Sequence, residues 1–426
     1  MREVIVYKFG GASVRDAEAV KNMARILGES DNHRKVIVVS AMGKTTNKLE
    51  SVVKAFTDNG DWKSPLNEVF DFHLSVLDDL NGNRNNDAGE SLEKIRKYAF
   101  TFLEQDEGSS FDFIYDQIVS LGEIMSTKII ASYLNEAGGF PITWTDARKL
   151  VHTDNSYRDA KINWDSTSER IQSMWEEVAP ASIITQGFIG GGDHQRITTL
   201  GREGSDFSAA IFAYALQARS VTIWKDVPGM LNADPKFFSN TSLLPNISYR
   251  EAIELSYYGA SVIHPKTIKP LENKNIPLYV KSFVDPSAPG TVINDNTSED
   301  SKIPSYIFKT DQVLLSISSR DFSFIVEEHI AEIFACFARH KLKIQTMQNS
   351  AISFSVSVAD HRSRIDALIK ELQENYQVLY NEGLELLTIR HYNERILEEL
   401  IKGREVLLQQ KTRHTLRILM RAESAQ

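Results

Sequence analysis

Val4-Ile5-Val6-Tyr7-Lys8-Phe9-Gly10-Gly11-Ala12-Ser13-Val14 opens the chain, and Val36-Ile37-Val38-Val39-Ser40-Ala41-Met42-Gly43 follows it. Each stretch is a short apolar, β-branched run that ends on small residues and glycine. Such runs read as buried strands, and the glycines as tight loops at their carboxyl ends. Between them, Asp16–Leu27 has the spacing of a helix. Strand, loop, helix, strand is the order of an α/β fold around a parallel sheet.

The same order continues outward. From about Asp61 to Gln105 the pattern is polar and helical, an insertion over one edge of the sheet. Phe113–Glu136 reads as one long amphipathic helix. Strands are expected at Ile142–Trp144, Ser182–Thr185, Val221–Trp224 and Leu278–Val280, the last of them closing the sheet. Helices are expected at Asp206–Leu216, Tyr249–Tyr258 and Pro265–Lys274. Asp285–Lys302, with Pro286, Pro289 and Asn294, reads as a linker. Beyond it, strands at Val313–Ser318, Ile344–Ser350, Ile352–Val358 and Leu384–Ile389 alternate with helices at Val326–His340 and Ile365–Tyr376. That is the βαββαβ order of a ferredoxin-like unit. A further helix is expected over Glu394–Gln409 and a last strand at Leu416–Leu419.

Composition sets the outer bounds. At 426 residues the chain is long enough for two or three domains, and 42% hydrophobic with 25% charged residues is an ordinary globular balance. The formal charge of −9 opposes general affinity for nucleic acid or anionic membrane. Cys336 is the one cysteine, which leaves no intrachain disulfide and no cysteine metal site. No apolar run reaches membrane-spanning length. The strand at the N-terminus leaves no room for a signal peptide before the fold, so the expected compartment is the cytoplasm.

Four strand ends carry glycine: Lys8–Gly11, Ser40–Gly43, Gly187–Gly192 and Thr199–Asp206. In open α/β sheets ligands bind beyond the carboxyl ends of the strands. Glycine there lets backbone N–H groups approach an anion, and the following helix presents its positive end. Several such loops in one sheet, two of them bearing a cation, point to phosphate chemistry. Neither a complete Walker motif nor a dinucleotide fingerprint is present.

Lys8–Val14 (KFGGASV) closely resembles the opening signature of aspartate kinases. Further matches come in that family's order: Ser40–Asn47 (SAMGKTTN), Ser120–Thr127 (SLGEIMST), Thr185–Gly190 (TQGFIG), Thr198–Asp206 (TTLGREGSD), Asp226–Gly229 with Asp234-Pro235, and Gly259–Pro265 (GASVIHP). The resemblance covers essentially the whole chain. It implies an amino-acid-kinase αβα sandwich with a mostly parallel sheet over 1–295. It also implies a C-terminal ferredoxin-like ACT region over 306–426, with one module at about 310–383 and an abbreviated second at about 384–422. The implied reaction is phosphorylation of the L-aspartate side-chain carboxylate by ATP with Mg²⁺, the first step toward lysine, threonine and methionine.

By the same resemblance, Lys8 is the catalytic lysine, at a strand end and outside the core, and Asp206 orients it. Gly10 and Gly11 supply N–H donors to phosphate. Glu123 would hold the substrate ammonium. Thr46 is a further substrate contact, and Arg196 grips the α-carboxylate, with Arg202 as its competitor. The nucleotide would lie over Trp224–Lys236, with Lys225, Asp226, Leu231 and Lys236 as contacts. Lys266 either stands in for a lysine that some members carry at position 261 or is an exposed helix residue. Lys225, Leu231 and Lys236 depart from the usual residues there. No protein metal site is expected, the Mg²⁺ being held by phosphates and water. An amino-acid effector, if bound, would use the first module around Ser318 and Gln345. The small modules' sheet edges imply a homodimer or larger assembly. Another amino-acid kinase acting on glutamate or acetylglutamate, or a catalytically weak amino-acid sensor, remain the alternatives.

Overall fold

The computed structural model describes residues 4–29, 33–82, 86–136, 142–260, 263–321, 323–393 and 400–422. The chain divides into two compact units. The first is Met1–Met230, Leu243–Ser256 and Ser261–Asp300; the second is Leu231–Ser242, Tyr257–Ala260 and Ser301–Gln426.

Among the described residues the first unit holds ten strands: β1 Ile5–Phe9, β2 Lys35–Val39, β3 Ile142–Thr145, β4 Ser182–Gln186, β5 Ile189–Gly191, β6 Ile197–Thr199, β7 Ser220–Lys225, β8 Asn246–Ser248, β9 Leu278–Ser282 and β10 Thr291–Asn294. Eight of them form one sheet in the order β3-β4-β2-β1-β7-β9-β10-β8. Every pairing is parallel except that of β10 with β9. Strands β5 and β6 make a separate antiparallel ribbon.

Alternation along the central strands divides the two faces. Phe9, Ile37 and Val39 join a core built with helices α1 Ala17–Glu29, α2 Thr45–Thr57, α3 Lys63–Asn81, α4 Asp87–Glu104, α5 Phe111–Val119 and α6 Leu121–Glu136. On the other face, helix α7 Gly204–Leu216 packs against β1, β2 and β7. Each fully buried aliphatic or aromatic side chain here contributes roughly 1.5–3 kcal/mol, so central strands buried on both faces are the most stabilised part of the unit.

Three expectations change. The predicted Phe113–Glu136 helix is two, α5 and α6, divided at Ser120, whose hydroxyl donates to the Gln117 carbonyl at 3.2 Å. Such back-bonding competes with the helical ladder and bends it. Helix α6 is also not amphipathic: Glu123, Ser126 and Thr127 are buried along with its apolar residues. Third, the predicted linker contains β10, which begins directly after Gly290 (φ +71°) and adds a strand beyond β9.

The second unit is a six-stranded antiparallel sheet of β11 Ser305–Ser319, β12 Ile344–Asn349, β13 Ser353–Ala359, β14 Tyr376–Arg390, β15 Val406–Lys411 and β16 Thr415–Arg421. Its order is β12-β13-β11-β14-β16-β15. Helices α8 Glu327–Arg339 and α9 Arg362–Leu372 close one core over β11–β14. The chain order β11-α8-β12-β13-α9-β14 is the ferredoxin-like unit expected. Of the helix expected at 394–409, residues 394–399 lie outside the described residues, and 406–409 belong to β15. Gly403 (φ +77°) lies between the helical residues 400–401 and that strand, in a left-handed conformation suited to glycine.

Candidate active site

At the carboxyl ends of β1 and β2 the first unit encloses a cavity of about 410 Å³. Its floor is made by the glycine loops. A side chain at Gly11 would put a carbon 2.8 Å from the carbonyl oxygens of Ala41 and Gly43, so only glycine allows the two strand ends to approach this closely. The Gly43 N–H donates to the Gly11 carbonyl at 3.0 Å and locks that approach. Gly10 lies against the Lys8 ammonium, and a β-carbon there would sit 3.4 Å from Nζ.

Lys8 ends β1 with its side chain toward α7. Its Nζ is 2.7 Å from Asp206 Oδ1, and Lys225 at the end of β7 reaches Asp206 Oδ2 at 3.3 Å. Burial alone would raise the Asp206 pKa, but the two ammoniums reverse that and hold it below its usual value. Lys8 is only 6% exposed, so the expectation that it lies outside the core is corrected. The reason is its partner: a lysine is buried when a fully buried carboxylate compensates it. Glu203 joins this group 3.9 Å from Lys225. Its pKa is raised by burial first and then by Asp206.

Glu123 lines the cavity from the first turn of α6. One carboxyl oxygen accepts the Ala41 N–H at 3.2 Å, while the other is buried with no hydrogen-bond partner among the described residues. Burial pushes its pKa up to about 8, against the opposing pull of the Ala41 N–H, its own backbone N–H and Lys8. A buried carboxyl beside a cavity, with one oxygen unsatisfied, is suited to a cationic ligand. Thr46, in the first turn of α2, is half-buried and also faces the cavity.

Two arginines line the cavity, Arg158 and Arg202. Arg196 does not. It is exposed, donates to the Tyr157 hydroxyl at 3.4 Å and lies 5.9 Å from the Phe113 ring. Arg196 and Arg202 flank opposite ends of β6, a strand about 10 Å long, and only the exit of that strand turns into the cavity. Arg202, the competitor named from sequence, is therefore the one in position. Arg158 had no signal in the sequence: it is a loop residue in a left-handed conformation (φ +67°).

Asp226 is exposed after β7, and Leu231 and Lys236 belong to the second unit. Lys266 pairs with Asp159 and lines a second cavity of about 510 Å³ beside Trp164 and Tyr214. Ser318 and Gln345 are not brought together. Ser318 pairs with Ser353 at one end of β13, and Gln345 lies opposite the Ser357–Val358 end, about 15 Å along the strand. Gln345 Oε1 accepts from Lys309 at 2.6 Å and its carbonyl from Arg417 at 2.5 Å. Burial, together with Arg417 and Lys343, pushes the Lys309 pKa down to about 8. Among the described residues no cluster of histidine, cysteine or carboxylate side chains could hold a metal, and no helix is long and apolar enough to cross a membrane.

The amino acid kinase family matches residues 3–282. Lysine-sensitive aspartokinase 3 of Escherichia coli (strain K12) is 30% identical over 397 residues, covering 91% of this chain and 87% of its own length. The crystal structure of E. coli aspartokinase III in complex with lysine and aspartate (T-state) covers 98% of this chain and 96% of its own, with a TM-score of 0.83 and 28% identity. The complex with aspartate and ADP (R-state) superposes with a TM-score of 0.80 at 27% identity, with the same coverage. A family match across most of the chain, a full-length relative and the shared fold agree with the buried lysine–aspartate pair at the glycine loops: the chain belongs to the amino acid kinase family, among the aspartokinases.

Proposed function

We propose that this cavity transfers the γ-phosphoryl group of ATP to the side-chain carboxylate of L-aspartate, giving 4-phospho-L-aspartate and ADP. The observation that carries the reading is Glu123, a buried carboxyl with one unpartnered oxygen, sharing a cavity with the Lys8–Asp206 pair. An amino acid's ammonium satisfies that oxygen, and its α-carboxylate finds the guanidinium of Arg202, with Arg158 beside it. Thr46 adds a hydroxyl to the same end. The acceptor carboxylate is ionised at neutral pH, so it attacks phosphorus without a general base. The new bond joins carboxylate oxygen to Pγ as the bond from Pγ to the β-phosphate oxygen breaks. Lys8, oriented by Asp206, neutralises charge on the transferring group, and the N–H groups of the Gly10-Gly11 loop assist.

Lys225 extends the positive charge toward the nucleotide. Mg²⁺ would be held by the phosphates and water, where it would neutralise charge on the transferring group. The expected compartment is the cytoplasm.

A coupled assay of ADP release tests the reaction, with aspartate expected to be turned over and glutamate not. Arg202→Ala is expected to raise the aspartate KM about 10–100-fold with little change in the ATP KM, while Arg196→Ala stays near wild type. The reverse ranking would return the α-carboxylate to Arg196.

The second unit leaves Phe324 69% and Leu379 63% exposed, with Phe334, Met347, Ile352 and Tyr380 also open. That much exposed apolar surface on one small unit supports a homodimer or larger assembly through residues beyond about 310. Light scattering of the full chain should give at least twice 48.1 kDa; a monomer at working concentration refutes it.

A further inference from the structure

Helix α5 carries a carboxylate that the phosphoryl-transfer chemistry does not use. Asp116 is fully buried. Its described partners are the Thr199 N–H at 2.8 Å, the Thr199 hydroxyl at 2.7 Å and the Arg158 N–H at 3.1 Å. No cation's side chain is among them. Burial pushes its pKa up to about 6, and these three donors oppose that rise. A buried carboxylate held by backbone donors fixes loops rather than neutralising a charge.

The loops it fixes both lead to the cavity. Thr199 is the last residue of β6, three positions before Arg202. Arg158 is held at its own amide, in the left-handed conformation noted above. The neighbouring residue, Gln117, clamps the start of the same strand: its amide donates to the Ile197 carbonyl at 2.9 Å. Tyr115, one residue earlier, lines the cavity and sits under the Arg158 guanidinium, 4.5 Å from ring centre to Cζ. Three consecutive residues of α5 therefore hold one short strand and one arginine. The only described ionisable side chain on α5 near Asp116, besides Tyr115, is Asp112, which itself reaches the Arg158 guanidinium at 3.4 Å.

We propose that Asp116 is a positioning residue for acceptor recognition: by holding the Arg158 amide and the end of β6 together, it sets both arginines where an amino acid's α-carboxylate docks. The inference rests on the reading that the cavity takes aspartate. A carboxylate accepts from all three at once, as an anion. An asparagine keeps the two N–H groups only by turning its N–H₂ toward the Thr199 hydroxyl, which must then accept, and it loses the charge that strengthens all three bonds.

The test is steady-state kinetics of Asp116→Asn, Arg202→Ala and the double variant, in the full chain, with aspartate and ATP varied separately. Asp116→Asn is expected to raise the aspartate KM about 10–100-fold, to change kcat less than about threefold and to leave the ATP KM unchanged. In the double variant the two effects should fall well short of multiplying, because one residue acts through the other. Thr199→Val keeps the side chain's shape and removes one donor. It should show a smaller rise of the same kind, and it serves in place of Asp116→Asn if that variant does not fold. Fully multiplicative effects, or equal rises in both KM values, would overturn the proposal. A wild-type enzyme inert toward aspartate would instead overturn the reading of the cavity.

Discussion

Lys8→Met leaves a folded protein whose kcat is lower by about 10³-fold or more. Removing a single preorganised donor to a developing charge costs about 10²–10³, and cations that neutralise a transferring phosphoryl group reach the top of that range and beyond. The substitution also strips one of the two ammoniums from a fully buried Asp206. Loss of a sole buried partner costs about 3–5 kcal/mol, but Lys225 remains 3.3 Å away, so a smaller loss is expected. Thermal melting alongside single-turnover kinetics separates the two effects. Lys8→Arg keeps the charge for Asp206 without the compact ammonium, and should recover stability more than turnover. A folded Lys8→Met enzyme within tenfold of wild type would remove Lys8 from the chemistry.

Glu123→Gln has the second largest expected effect, and it carries a sign that can be checked. The folded-state pKa of about 8 lies above the ordinary 4.5, so the empty site holds a neutral acid at neutral pH. An ammonium binds the ionised form. Below about 8 the aspartate KM should therefore rise roughly tenfold for each unit of pH lost, and flatten above it. In Glu123→Gln the aspartate KM should be about 10–100-fold higher near pH 8 and lose that slope, since glutamine does not titrate. Stability runs the other way. Between the unfolded and folded pKa values the folded protein binds the extra proton, so the ligand-free wild type loses stability as pH rises through this window. The ligand-free glutamine variant should melt higher than wild type at pH 8. A wild-type KM that is flat from pH 6 to 8 would show that this carboxyl does not meet the substrate.

Much of this was legible in the sequence, and the exceptions have physical causes. Val36–Val39 and Val4–Tyr7 could hardly be anything but strands buried on both faces, because β-branched runs ending on glycine fit few other environments. Lys8 and Asp206 each stand at the end or start of an element whose position was clear, Thr46 and Glu123 were marked by their motifs alone, and all four line one cavity. Arg196 lies outside that cavity because proximity to a motif along the chain is not proximity in space: three extended residues separate it from the loop that lines it. The strand at Thr291–Asn294 was hidden by the prolines and asparagines around it, which signal loop without excluding a four-residue strand between them. The break at Ser120 depends on one hydroxyl choosing a backbone carbonyl. Asp116 and Arg158 gave no signal, since a buried aspartate and a left-handed arginine look in sequence like any polar surface residues.

Strands β11 and β14 are each fifteen residues long and pair along nearly their whole length, from Ser305 opposite Arg390 to Ser319 opposite Tyr376. The same two strands meet β13 at one end and β16 at the other. The two halves of the C-terminal unit therefore share two strands, and the irregularity between Lys309 and Leu314, with Asp311 (φ +54°) and Gly383 (φ +64°) in left-handed conformations, marks where they meet. They are one plank rather than two beads on a string, and neither half could be cut out or exchanged as a cassette without leaving an open seam of unpaired backbone. A twist introduced at one end is carried along both strands to the other, save for what that one irregularity takes up.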